Sequence, residues 1–166
     1  MNSESPNSCC KYQNFGHYIL KRFPTMEKLK FFKLDVLAES DCPLIDIHPV
    51  IEASPYLEKF VIQIEWSHDM VLGETEWTYT SVLFRPPHQH LKIVKFCGYF
   101  GRVCDLELAR YLFRCCAALE KFIVDPHCRG AIDPGRRYKK NVRAARGRAK
   151  RQLEGIKPGG VKLVIL

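Results

Sequence analysis

One short apolar phrase recurs four times in this chain, and it constrains the fold more than any other feature. Leu29-x-x-Phe32-x-Leu34, Leu57-x-x-Phe60-x-Ile62, Leu91-x-x-Val94-x-Phe96 and Leu119-x-x-Phe122-x-Val124 share one spacing. Within each phrase the last two apolar positions are two residues apart, which places them on one face of a β-strand. The leading leucine turns inward where the strand begins. A single strand of this kind cannot bury its apolar face, but a stack of them makes a continuous core and lines up the alternate residues on an outer face.

The leading leucines are separated by 28, 34 and 28 residues. Intervals of that size and the L-x-x-L-x-L pattern predict an α/β leucine-rich-repeat solenoid, with parallel strands alternating with helices or irregular segments. The long interval requires an insertion, which residues 67–87 can hold. The lead-ins are expected to be helical. In 104–122 Asp105 is the expected N-cap, and Leu108, Leu112, Cys115 and Leu119 follow helical spacing. In 42–60, Pro49 makes the helix short or kinked. Both lead-ins end alike, in Leu57-Glu58-Lys59-Phe60 and Leu119-Glu120-Lys121-Phe122. A turn-rich 125–137 precedes a basic helix over about 137–154, whose thin apolar stripe is Tyr138, Val142, Ala145, Ala149 and Leu153. The glycines after it stop the helix, and 161–166 reads as a last strand. The expected organisation is a flexible segment over 1–22, repeats over 23–128, and a cap of basic helix plus strand over 129–166.

Charge follows the same division. The chain carries a formal net charge of +8, yet residues 129–166 hold 12 of its 26 Lys and Arg and only 2 of its 18 Asp and Glu. The excess is therefore a C-terminal feature on a nearly neutral body. There is no run of 18 apolar residues, so no membrane helix is expected. The polar first 18 residues lack the apolar core of a secretory signal. A cytoplasmic or nuclear location, with the eight cysteines reduced, is the corresponding expectation.

Three stretches carry a family resemblance: "RPPHQHLKIVKFCGYFG", "ELARYLFRCCAALEKFIVDP" and "ARGRAKRQLEGIKPGGVKLVIL". Over roughly residues 23–166 the chain resembles the C-terminal leucine-rich-repeat region of plant F-box/FBD/leucine-rich-repeat proteins. In that family an N-terminal F-box docks onto a Skp-type linker of a cullin ubiquitin ligase, and the repeats present substrate. Residues 1–22 are too short for an F-box. The resemblance thus implies a truncated member that keeps the recognition half, with no direct binding to a Skp-type linker and no catalytic residues to carry over.

Sequence motifs for chemistry are absent. His88-x-His90, Cys97, Cys104 and His127-Cys128 do not form the paired knuckles of a zinc site. No nucleophile elbow, H-E-x-x-H or P-loop occurs. Asp35, Asp46 and Asp125 read as turn and capping groups. Neither enzyme activity nor a cofactor is expected. Protein recognition is the leading expectation, through the outward strand positions Phe31, Lys33, Lys59, Val61, Ile93, Lys95, Lys121 and Ile123. Their lysines suit an acidic partner segment. The alternative is a nucleic-acid or nuclear-targeting role for Arg136, Arg137, Lys139, Lys140, Arg143, Arg146, Arg148, Lys150 and Arg151. Tyr138 is the one ring in that segment, so an aromatic platform for bases is missing.

Overall fold

The structure, a computed structural model, describes residues 7–13, 24–38, 44–66, 87–127 and 136–166, with the backbone alone described at 7–13, Arg136 and Arg137. Its elements run β1 (Asn7–Gln13), β2 (Phe31–Ala38), a 3-10 turn (Leu44–Ile47) leading into α1 (His48–Glu52), β3 (Lys59–Trp66), β4 (Ile93–Cys97), α2 (Val103–Cys115), β5 (Lys121–Asp125), α3 (Arg136–Glu154) and β6 (Lys162–Ile165). The six strands form one sheet in sequence order, and every neighbouring pair is parallel.

The repeated phrase sets the register. Phe31 pairs with Lys59, Lys59 with Ile93 and Ile93 with Lys121, so the register offsets equal the sequence intervals between the leading leucines. Phe32, Phe60, Val94, Phe122 and Leu163 consequently form one inward row, and Leu34, Ile62, Phe96, Val124 and Ile165 the next. The members of these rows from β2 to β5 are buried, as are all four leading leucines. Phe32 stacks on Phe60 with ring centroids 6.0 Å apart. The core lies between this face and the helical side, where α2 contributes Leu108, Ala109 and Leu112 and α3 contributes Ala149 and Leu153. Each fully buried side chain of Leu, Ile or Phe size adds roughly 1.5–3 kcal/mol of transfer free energy.

Several local expectations need correcting. Asp105 is not the N-cap of α2. Arg102 holds that position in an extended conformation, and Asp105 lies three residues later, with its carboxylate folded back over the preceding loop. The helix ends at Cys115, so Leu119 lies beyond it and is buried as the lead-in to β5. Asp35 sits inside β2 rather than in a turn, because this strand extends to Ala38. Residues 7–13, within the segment expected to be flexible, pair as β1 with β2, whose otherwise open edge offers a row of backbone donors and acceptors. The helix α1 is short, at five residues, with Pro49 in its first turn. The insertion expected in 67–87 lies, up to residue 86, outside the described residues, as does 128–135 of the turn-rich segment.

Candidate functional site

On the face of the sheet away from the helices the residues are ordered in three cross-strand rows, half-buried or exposed in the first two, with Gln63 and Cys97 of the third buried. Phe31, Lys59, Ile93, Lys121 and Lys162 make the first. Lys33, Val61, Lys95, Ile123 and Val164 make the second. Asp35, Gln63, Cys97 and Asp125 make the third. The structure brings all eight expected face residues together in the first two rows. It adds Lys162 and Val164, whose strand was legible in the sequence but whose register was not. The ammonium of Lys59 lies 5.5 Å from the centre of the Phe31 ring, a cation–π distance.

The lysines are not equivalent, and this revises the picture of a uniformly basic face. Lys33 pairs with Asp35 at 2.8 Å, and Lys95 pairs across strands with Asp125 at 3.5 Å. Burial pushes the Asp125 carboxyl up, but its hydrogen bonds from His127 and the Lys95 charge outweigh that and leave it below the usual carboxylate range. The acidic third row thus neutralises the second. No carboxylate among the described residues pairs with Lys59, Lys121 or Lys162 in the first row. Where the strands begin, Lys30 meets Glu58 at 3.0 Å and Lys92 meets Glu120 at 3.9 Å, a surface ladder of alternating charge.

A buried polar joint, missed in the sequence, fixes one end of this face. Gly98 follows β4 with φ +81°, and a Cβ there would lie 2.3 Å from the Ile64 carbonyl oxygen. Its N–H donates to the Asp125 carbonyl at 2.7 Å. Its own carbonyl accepts from the Trp66 indole at 3.1 Å, while the Arg102 guanidinium covers that ring at 3.8 Å. One carboxylate oxygen of Asp105 accepts the N–H groups of Phe100, Gly101 and Arg102 at 2.9, 2.9 and 3.0 Å. Asp105 is fully buried, and that burial raises its pKa to about 6 against the pull of these donors and of Arg102. The helix α3 is pinned to the same loop. Arg148 donates to the Phe100 carbonyl at 2.7 Å and Gln152 to that of Gly101 at 3.1 Å. The Gln152 amide oxygen accepts from the Tyr99 hydroxyl at 2.8 Å. The spacing of Gly98 and Gly101 was the visible signal of a tight loop; its partners 48–53 residues away were not.

The basic residues of α3 therefore divide. Arg148 is a structural tie. Lys139, Lys140, Arg143, Arg146, Lys150 and Arg151 are exposed. Val142, Ala145, Ala149 and Leu153 are buried along the opposite stripe, and Tyr138 is half-buried. The side chains of Arg136 and Arg137 lie outside the described residues.

On the helical side, Ile51, Tyr56, His88, His90, Tyr111 and Cys115 line much of a pocket of about 450 Å³. The His88 ring is committed to backbone: its Nδ1 accepts from the Leu91 N–H at 3.0 Å, so its Nε2 donates to the Ser54 carbonyl at 2.8 Å. Burial lowers its pKa. Cys97, Cys104, Cys115 and Cys116 are free thiols, and burial pushes that of Cys116 up to about 12. Among the described residues no three His, Cys, Asp or Glu side chains gather as a metal-binding group, and no helix is long and apolar enough to cross a membrane.

No curated protein and no solved structure gives a significant match to the chain. A family model does: residues 86–124 match the one described as FBD. That stretch spans β4, the glycine loop, α2 and β5, and its similarity supports the F-box/FBD resemblance of the sequence.

Proposed function

We propose that this chain is a protein–protein recognition module of F-box-associated type, built as a short leucine-rich-repeat solenoid whose outer strand face takes up a partner segment. The observation that carries this reading is the three-row face, with Lys59, Lys121 and Lys162 unpaired by carboxylate among the described residues, Lys59 set between Phe31 and Ile93 and the other two beyond Ile93. Apolar residues alternating with cations suit an acidic segment that also carries apolar side chains. Strands are about 4.8 Å apart, so Lys59 and Lys121, two strands from each other, stand about 9.6 Å apart. A partner segment crossing the strands would have to present two acidic side chains about that far apart on the one side that meets the sheet. The FBD match supports an F-box-associated protein-interaction role, and the plant family that the sequence resembles would make that role the presentation of substrate to a ubiquitin ligase.

The test is affinity capture from nuclease-treated plant extract with three baits: the intact chain, K59E/K121E, and a chain neutralised at the exposed cations of α3. A defined protein held by the first and third baits and lost by the second supports the reading. Retention by K59E/K121E removes it. A second reading, a nucleic-acid or nuclear-targeting role, draws on the exposed cations of α3. It predicts loss of capture on nuclease treatment or on neutralisation of α3.

A further inference from the structure

Among the described residues β6 is the last strand of the sheet. The N–H groups of Lys162 and Leu166 donate to the carbonyls of Glu120 and Val124 on the β5 side, at 2.8 and 2.9 Å. In a parallel ladder every second residue bonds to the same neighbour, so the main-chain groups of Leu163 and Ile165 face away from β5. Among the described residues no strand pairs with that edge. Open edges are usually blunted by shortness, lysine, proline, a bulge, an inward charge or a cover, and of these β6 has four-residue length and Lys162. Here Leu163, Val164 and Ile165 form an apolar, half-buried run without proline.

The helix that leads into this strand carries a stripe of cations. Lys139, Arg143, Arg146 and Lys150 recur at steps of four, three and four residues, which keeps them on one side of α3, and all four are exposed. Arg146 donates to the Leu166 carbonyl at 2.5 Å, which ties the stripe to the end of β6. No carboxylate side chain among the described residues pairs with any of the four. Along the helix axis these cations step by about 4.5–6 Å. Alternate residues of an extended chain step by about 6.7 Å. A strand laid along β6 with an acidic residue at every second position would therefore satisfy both the open backbone groups and the stripe. We propose that the free edge of β6, flanked by the basic stripe of α3, takes up an extended acidic segment of a partner protein as a seventh strand.

A nucleic acid would use the charge but leave the strand edge unpaired. A second copy joined edge to edge would set two basic stripes beside each other, at a repulsive cost.

The probe is a fluorescein-labelled synthetic peptide of alternating Glu and Val, compared with the same peptide N-methylated at alternate amides, which keeps its charge but cannot pair as a strand. Binding is read by anisotropy at low salt, and hydrogen exchange is followed at Leu163 and Ile165. The expected result is binding that weakens about tenfold or more on N-methylation and in K139E/R143E/K150E, with both amides protected by the unmodified peptide. Equal binding of the N-methylated peptide, unchanged binding by the charge-reversed chain, or no binding at all overturns the proposal. So does single-stranded DNA that outcompetes the peptide without protecting Leu163 and Ile165. A dimer in sedimentation that protects those amides without peptide would assign the edge to self-association instead.

Discussion

Replacing Asp105 by alanine probes the buried joint most directly. The change leaves three N–H groups without their acceptor. That of Phe100 is in a buried residue, and an orphaned buried donor costs about 1–3 kcal/mol. Those of Gly101 and Arg102 are half-buried and regain water in part, at about 0.5 kcal/mol each. The total is about 3 kcal/mol, a large share of the roughly 5–15 kcal/mol that holds a domain folded. With a urea slope of about 2 kcal/mol per molar, the midpoint falls by about 1.5 M. Asp105→Asn keeps an acceptor for the three donors and removes a buried charge, so it should retain most of what alanine loses. Equilibrium urea unfolding at pH 7.5, followed by far-UV circular dichroism, measures both. An alanine variant within about 1 kcal/mol of the parent, or an asparagine variant as damaged as alanine, would refute the assignment of Asp105 as the acceptor that organises the loop.

Other perturbations test neighbouring parts of the argument. Gly98→Ala drives a Cβ into the Ile64 carbonyl at positive φ and should cost about 3 kcal/mol or more, whereas Gly160→Ala, with open space around it, should shift thermal stability by less than about 0.5 kcal/mol. The pKa of Asp105 is raised on folding, so its contribution is fully present below about pH 4 and is lost as pH rises through about 6; the pH dependence of urea stability should flatten over that window in Asp105→Asn. His88 acts in the opposite sense: its pKa is lowered on folding, so its contribution is present above about 6.5 and is lost as pH falls through the lowered value, a loss that His88→Asn should remove. The K59E/K121E chain should unfold within about 1 kcal/mol of the parent, because Lys59 is exposed, Lys121 is half-buried and neither pairs with a carboxylate among the described residues; a larger loss by the same urea assay would make it unsuitable as a binding variant.

The strands were legible because the chain writes the inward rows directly. A two-residue apolar alternation with a leading leucine fixes face and entry point, and equal intervals fix the register. The α3 stripe was legible for the same reason at helical period, since Val142, Ala145, Ala149 and Leu153 all turn out buried. Strand β1 was not legible, because Asn7–Gln13 carries no such alternation and takes its pairing from the edge of β2. The loss of Lys95 to Asp125 was hidden in two separate phrases and emerges only once β4 and β5 are placed side by side. Asp105 looked like a helix cap because it begins an apolar periodicity; its role depends on a loop that doubles back over it.

The sheet is wired only between successive strands. Among the described residues no hydrogen-bonded ladder joins strands that are not neighbours, so the ladder by itself does not stop a terminal strand from peeling away while the middle stays intact. Rupture should begin at an end and travel inward one crossover at a time. The clasp that α3 makes with the loop after β4 would be the first obstacle to a tear starting from β6, because it bypasses β5 and joins the last helix to the strand unit before it. Pulled from its two termini, such a chain would lengthen in discrete steps, each the length of one crossover, instead of giving way all at once.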